Sequence, residues 1–347
     1  MIFSYKEPST LEEAVSLMRE AAEKKQKAVY LAGGTDLFPL LKRNVFDVDT
    51  VINLKSIQGL DGITEDEDWV YIGAMTLLHD VSRSPKVKKW APAVYAASDK
   101  VASPGIRNMG SIGGNLLQTA RCPFYNQSND FRRGVEPCYA RGGHVCHKDD
   151  KSQKCIRIIM SDMIPPLIAS DAEVHLLGPD CERTVKLASL YKPSSFAALT
   201  KKGEILTKIM IPKKSVEHRE CYERMAARKT IDYPAANAGI ALDLDANQKT
   251  CLSARVVIGS VAPGPFVCEK TEKLLEGKEL DTALIESAAE TAENEIAQYA
   301  AESLEFPTWY RLEMVRKMVR DILTAFKADE YTMEFTNPPL AENEKGA

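Results

Sequence analysis

Two glycine pairs constrain this chain more than any other feature. Residues 32–37 read Ala-Gly-Gly-Thr-Asp-Leu, and residues 110–116 read Gly-Ser-Ile-Gly-Gly-Asn-Leu. Paired glycines let the backbone come close to a ligand, and successive amides there form a concavity that suits an anion. Thr35 and Ser111 add a hydroxyl to each loop. A glycine pair after a strand is often only a turn, but two such loops could hold the two ends of a diphosphate. Neither fits G-x-G-x-x-G, and no G-x-x-x-x-G-K-[ST] loop occurs, so the Rossmann and P-loop folds are disfavoured.

Hydrophobic spacing sets the surroundings of the loops. Thr10-Leu11-Glu12-Glu13 reads as a capping box, and Leu11, Ala14, Val15, Met18, Ala21 and Ala22 recur at helical spacing, which predicts a helix over 11–24. The apolar run 29–32 predicts a buried strand entering the first loop, with a helix over 38–42 beyond it. Residues 51–54 and 69–72 predict two more strands, Thr76 caps a helix reaching about 83, and 91–101 predicts a helix ending near the second loop. Beyond residue 162 the texture changes. Residues 173–177, 205–211, 240–245 and 255–261 read as strands between polar turns, the pattern of an antiparallel sheet. Helices are predicted over 281–299 and 307–327, and a frayed tail over 337–347.

A chain of 347 residues has room for about two domains. Its net charge of −4 argues against a polyanion partner, so no nucleic acid is expected. The N-terminus lacks a basic stretch followed by an apolar core, and no apolar run approaches the roughly 20 residues that span a bilayer. A cytoplasmic protein is the expectation, and in that compartment the eight cysteines are not expected to form disulfides. Cys181, Cys221, Cys251 and Cys268 are spread among apolar neighbours and read as small buried hydrophobes.

Cys122, Cys138, Cys146 and Cys155 are different, because they crowd into one stretch with the spacing C-x15-C-x7-C-x8-C. Four thiolates suit either a tetrahedral zinc ion or a four-iron cluster. Structural zinc sites usually use C-x-x-C knuckles, and none is present, so the wide spacing better suits a cluster. Phe124, Tyr125, Phe131 and Tyr139 could shield it from water. His144 and His147 leave a mixed site open, although an unligated surface histidine is the commoner outcome. Residues 121–157 hold eight Lys/Arg against four Asp/Glu, a basic stretch that favours an anionic centre and an acidic electron carrier.

The loop at 32–37, SPGIRNMGSIGGN (103–115), SDMIPPLIASDAEV (161–174), GEILTKIMIP (203–212) and WYRLEMVRKMVRDIL (309–323) together resemble the flavin-bearing medium subunits of the xanthine dehydrogenase family of molybdenum hydroxylases. The resemblance covers nearly the whole chain. It implies an α+β chain: a two-subdomain FAD-binding domain of the vanillyl-alcohol-oxidase type, then a C-terminal α+β domain with an antiparallel sheet. The corresponding boundaries are 1–56, 57–180 with an insert at 121–157, 181–330, and a tail at 331–347. By this resemblance Ala32, Gly33, Gly34, Thr35 and Asp36, with Gly110, Ser111, Gly113, Gly114 and Asn115, hold the FAD diphosphate. Asp162 contacts the ribityl or adenosine part, and Tyr191 lies near the isoalloxazine ring. Ser103, Arg107 and Asn108 fall within the match, and Arg107 either faces phosphate or is a surface side chain. From the residues alone, Asp36 and Asp162 are equally well a helix cap and a turn residue.

In most of that family the second glycine loop leads without delay to the next strand. Here "RCPFYNQS" (121–128) and the three later cysteines resemble the β subunits of the 4-hydroxybenzoyl-CoA reductase branch, which carry an extra [4Fe-4S] cluster. That resemblance makes Cys122, Cys138, Cys146 and Cys155 the ligands. It implies an oxidoreductase subunit that moves electrons and does no substrate chemistry. A ferredoxin-type donor feeds the cluster, then FAD, then [2Fe-2S] clusters on a small partner and a molybdopterin-bound molybdenum on a large one, where 4-hydroxybenzoyl-CoA becomes benzoyl-CoA. A dimer of heterotrimers is implied. The alternatives are the medium subunit of a xanthine- or N-heterocycle-hydroxylating dehydrogenase and, from another class, a zinc-stapled interaction module without catalysis.

Overall fold

The computed structural model describes residues 2–214, 218–228 and 231–328, so the predicted tail at 337–347 lies outside the described residues. Three sheets organise the chain. The first is parallel and holds β1 (Ser4–Lys6), β2 (Ala28–Leu31) and β3 (Thr50–Asn53) in the order β1-β3-β2. Parallel strands need a crossover connection, and the helix Leu11–Glu23 supplies it between β1 and β2, which flank β3. Its Thr10 hydroxyl accepts from the Glu13 amide at 3.2 Å, whereas the Glu13 carboxylate accepts from the Ser9 amide at 2.8 Å. The capping box is therefore closed one residue early. Ala14 and Val15 on the inner helix face pack with Ile52 and Leu54.

The middle sheet holds β4 (Ile63–Glu65), β5 (Trp69–Gly73), β6 (Glu173–Leu177), β7 (Glu182–Lys186) and β8 (Ile205–Pro212), antiparallel in the order β4-β5-β8-β6-β7. The chain leaves after β5, builds the helical layer and the cysteine segment, and returns to pair β8 against β5. Val70, Ile72, Val174 and Ile209 alternate onto the buried face and share one core with helices Pro92–Lys100 and Ile164–Ala169. The boundary expected at 180/181 falls in the turn between β6 and β7, which are paired strands. Cys181 sits in that turn and is exposed, contrary to the expectation of a buried hydrophobe; Cys221, Cys251 and Cys268 are buried. Thr76 does not cap its helix. That helix is shorter than expected (Leu78–Val81), and the Thr76 hydroxyl donates to the Gly62 carbonyl at 3.1 Å.

The third sheet is antiparallel in the order β12-β11-β10-β9, from β9 (His218–Met225), β10 (Ala236–Leu244), β11 (Cys251–Gly259) and β12 (Phe266–Val267). Helices Thr282–Ala297 and Thr308–Ala328 lie on it, and Val315, Met318, Val319, Ile322 and Phe326 join Ile240, Val256 and Ile258 in one core. The two long helices and an antiparallel C-terminal sheet are those the sequence predicts, but of the four strands expected beyond residue 162 only β10 and β11 belong to it; β6 and β8 lie in the middle sheet, and β9 and β12 are additional. Among the described residues no helix is long and apolar enough to cross a membrane.

Candidate functional site: a two-loop cleft beside a ring of thiols

The two glycine loops, 76 residues apart where Gly34 and Gly110 stand, meet backbone to backbone. A Cβ on Gly33 would lie 2.0 Å from the Met109 carbonyl oxygen and 2.9 Å from the Gly110 Cα. Gly34 has a φ of +75°, a backbone region that side chains rarely adopt. Between the loops opens a cleft of about 480 Å³, within the range of small-molecule sites. Ala32, Gly33, Gly34, Thr35 and Asp36 form one wall and Gly110, Ser111, Gly113, Gly114 and Asn115 the other, with Asp162 at the side. Leu78, Val101, Ile106 and Leu117 supply apolar lining.

The two loops are not equivalent. Among the described residues the amides of Gly33, Gly34, Thr35 and Asp36 donate to no other backbone group. The second loop spends most of its amides on fixed partners: Ile112 on the Thr76 carbonyl (2.9 Å), Gly113 on the Ala74 carbonyl (2.8 Å) and Gly114 on the Ser111 hydroxyl (3.2 Å). Free donors for an anion therefore come mainly from the first loop, joined by the Ser111 amide, and the second gives close backbone approach and a helix start at Ile112–Leu116. Asn115 is held by the Ser161 hydroxyl, which donates to its side-chain oxygen at 2.6 Å.

The remaining predicted residues divide sharply. Asp162 is buried and neither caps nor turns; its carboxylate accepts from the Tyr222 hydroxyl at 2.5 Å and pairs with Arg224 at 3.4 Å, both on β9. Burial raises its pKa above the ordinary carboxylate value, against the pull of Arg224 and Tyr222. Asp36 precedes the helix Leu37–Lys42 but makes no side-chain cap; it pairs with Arg121. Burial raises its pKa too, with Arg121 opposing. Ser103 lies outside the cleft lining and caps the helix Pro104–Arg107, of which Asn108 is the C-cap. Arg107 faces neither phosphate nor solvent: it is buried and donates to the Val101 carbonyl at 3.0 Å and to Asp99 at 3.3 Å. Tyr191 also lies outside the lining. It is buried and its hydroxyl donates to the Leu116 carbonyl at 2.6 Å, steadying the helix of the second loop. Sequence reasoning missed Arg121 and Tyr233, which line the cleft mouth.

Directly after Arg121 the chain enters the cysteine segment, and all four clustered cysteines line one small cavity. Phe124, Tyr125, Tyr139, His147, Lys148 and Arg157 complete its walls, while Phe131 is exposed and His144 is not part of the lining. Arg157 lies over Tyr125 at 4.4 Å and Phe196 at 5.2 Å. The His147 Nε2 is 2.8 Å from the Glu136 carbonyl, which commits that nitrogen. A buried arginine fixes the segment: Arg132 donates to the carbonyls of Gln127 (2.9 Å), Tyr125 (3.3 Å) and Asn44. The segment leaves and returns at one rung, where Arg121 and Ile158 exchange backbone hydrogen bonds of 2.7 and 3.1 Å. Burial raises the Cys122 thiol pKa, and burial lowers that of Lys148, with each group drawing the other toward its charged form. Among the described residues no three His, Cys, Asp or Glu side chains converge as a single metal ion requires.

Comparison with known proteins agrees with this architecture. Residues 1–214 match the family described as the FAD binding domain in molybdopterin dehydrogenase, and residues 220–326 match the CO dehydrogenase flavoprotein C-terminal domain. The chain is 29% identical to the carbon monoxide dehydrogenase medium chain of Afipia carboxidovorans over 94% of its length and 97% of that protein's. It is 24% identical to the nicotinate dehydrogenase FAD-subunit of Eubacterium barkeri, over 82% of this chain and 83% of that one. A solved carbon monoxide dehydrogenase chain from Hydrogenophaga pseudoflava, in a form lacking the Mo-pyranopterin moiety of the molybdenum cofactor, superposes with a TM-score of 0.76 at 26% identity, covering 94% of this chain and 99% of that chain.

Proposed function

Since the chain belongs to the family of FAD-binding domains in molybdopterin dehydrogenases, we propose that it is the electron-transfer medium subunit of a molybdenum enzyme, with FAD in the two-loop cleft and a [4Fe-4S] cluster in the four-thiol cavity. One observation carries this reading: four cysteines separated in sequence line a single cavity, and the peptide that joins Arg121 to Cys122 connects that cavity to the cleft. The unpaired amides of 33–36 suit a diphosphate, and four thiols on one cavity match in number the four-cysteine ligation of a cubane. The cavity itself measures about 20 Å³, so the thiols must swing outward to admit a cubane. When bound, FAD would store two electrons and release them singly, and a cluster would pass one at a time.

The chain's own residues bind and orient. In this reading Ala32 to Asp36 and Gly110 to Asn115 hold the diphosphate, and Asp162 meets the ribityl or adenosine part. Ser103 and Tyr191 act one step back, by capping Pro104–Arg107 and by fixing the Leu116 carbonyl. No residue here serves as a general acid or base for the substrate. The FAD-binding halves are residues 1–56 and a second unit running on to β8 at 212, with the third sheet and its helices as a separate unit.

The companions we assign are a large molybdopterin-binding subunit and a small [2Fe-2S] subunit, paired as a dimer of heterotrimers; a relative named as a medium chain supports a larger and a smaller partner. The relatives' names are those of dehydrogenases, which supports oxidation of an N-heterocycle or comparable substrate with electrons leaving through the cleft. The thiol cavity favours a second reading. There a ferredoxin-type donor supplies two electrons that, with two protons, convert 4-hydroxybenzoyl-CoA to benzoyl-CoA and water at the partner's molybdenum.

The test is metal and flavin analysis of anaerobically purified complex. Iron in excess of the small subunit's content, with FAD, is expected; zinc instead of that iron removes the cluster. Cys138→Ser should lose this iron and its EPR signal while keeping FAD, and an unchanged signal overturns the ligand set. Turnover of 4-hydroxybenzoyl-CoA with a low-potential donor selects the reductive reading, and turnover of xanthine or nicotinate without it selects the oxidative one.

A further inference from the structure

We propose that Arg121 is a binding residue of the cleft: it neutralises Asp36 in the first glycine loop and donates its Nη1–H to a diphosphate oxygen held there. The proposal rests on the cofactor reading above and names a residue outside both glycine loops.

Three observations converge on this side chain. Arg121 lines the cleft with 19% of its side chain exposed, and its Nη2 pairs with the Asp36 carboxylate. Its Nε is shut off from solvent, but among the described residues its Nη1 donates to no protein group and is not buried. That N–H is the donor the side chain offers to an arriving acceptor. The Tyr233 ring lies 5.6 Å from the guanidinium carbon and the backbone is clamped to Ile158, so the fork is held rather than free to swing into solvent.

Charge explains why the residue is needed. A diphosphate brings negative charge toward a loop that already contains Asp36, in a cleft with mostly apolar walls. Like charges in such surroundings repel strongly unless a cation stands between them. Arg121 meets that need and keeps one donor in reserve, and the guanidinium fork is suited to holding a carboxylate and a phosphate oxygen together.

The experiment strips FAD from the purified protein and titrates FAD and, separately, ADP into wild type, Arg121→Lys, Arg121→Met, Asp36→Asn and the double variant Arg121→Met/Asp36→Asn. Arg121→Met should weaken both ligands at least tenfold, with a loss that shrinks at high salt. Arg121→Lys should fall between, because it keeps the charge and loses the fork. The double variant should recover part of the loss, since the uncompensated carboxylate is gone and the donor is still missing. Wild-type affinity in Arg121→Met and Arg121→Lys, with a lower melting temperature as the only change, overturns the proposal and leaves Arg121 as a clamp at the neck of the cysteine segment. Wild-type protein that takes up no FAD sinks the cofactor reading and this one with it.

Discussion

At Gly33 the cleft is closed to any side chain. An added methyl would have to displace the Met109 carbonyl, 2.0 Å from the Cβ position, and that carbonyl belongs to the segment leading into the second loop. Gly33→Ala should therefore separate the loops, cost about 1–3 kcal/mol of stability as overpacking does, and leave the purified protein with little flavin absorbance. Full flavin occupancy in that variant would mean that the loop contact is not part of the site. The glycine pairs were legible in the sequence because a steric demand on one backbone position is local. Arg121 was not legible: its neighbours are Asp36 in the first glycine loop and Ile158 where the cysteine segment returns, and neither can be found from the residues around it. Tyr191 was equally out of reach: its hydroxyl braces the Leu116 carbonyl from outside the cleft lining, a contact 75 residues away in sequence.

Elements became visible where burial imposes a period. The helices Leu11–Glu23, Thr282–Ala297 and Thr308–Ala328 and the strands β5, β6 and β8 carry it, whereas β10 is buried along nearly its whole length. Edge strands hid: β7 reads Glu-Arg-Thr-Val-Lys and β4 only Ile-Thr-Glu, too polar or too short to announce a pairing. β9 hid for another reason, which is that charged side chains inside it are paired across the sheet. His218 sits between Asp243 on β10 at 2.7 Å and Glu220 at 3.5 Å, and Glu220 also accepts from Ser170 at 2.6 Å and the Ala93 amide at 3.0 Å. Burial lowers the imidazole's pKa, but its hydrogen bonds to Asp243 and Glu220 outweigh that and raise it to about 9. A raised value in the fold means the ion pairs contribute fully below the unfolded value of about 6.5 and are lost as pH climbs through about 9. The urea stability of wild type over His218→Gln should thus be on the order of 2–3 kcal/mol at pH 6 and close to zero above pH 9. A gap independent of pH would remove the charged histidine from the account.

On the scale of the whole molecule, pairings between distant strands decide the architecture, and these were out of reach of local patterns. β5 finds β8 some 130 residues later, and only that return makes the middle sheet continue beyond the boundary expected at 180. The change of texture near 162 announced antiparallel strands but not their sheets: β6 and β8 join the middle sheet, and only β10 and β11 of those expected belong to the C-terminal one. The cysteine stretch stood out because four of the eight cysteines fall between 122 and 155, yet its meeting with the cleft needed the folded chain.

The rung shared by Arg121 and Ile158 has one more implication. A segment that departs and comes back at a single pair of residues behaves like an appendix stitched to a seam, able to be gained or shed without redrawing the cloth around it. Replacing 122–157 by a two-residue turn such as Asn-Gly, which bridges antiparallel ends of this kind, should yield a protein that melts cooperatively, shows flavin absorbance and contains no iron of its own. Such a trimmed chain would be a plain flavin carrier, and comparing its partners' reduction rates with those of the parent would isolate what the appendix adds.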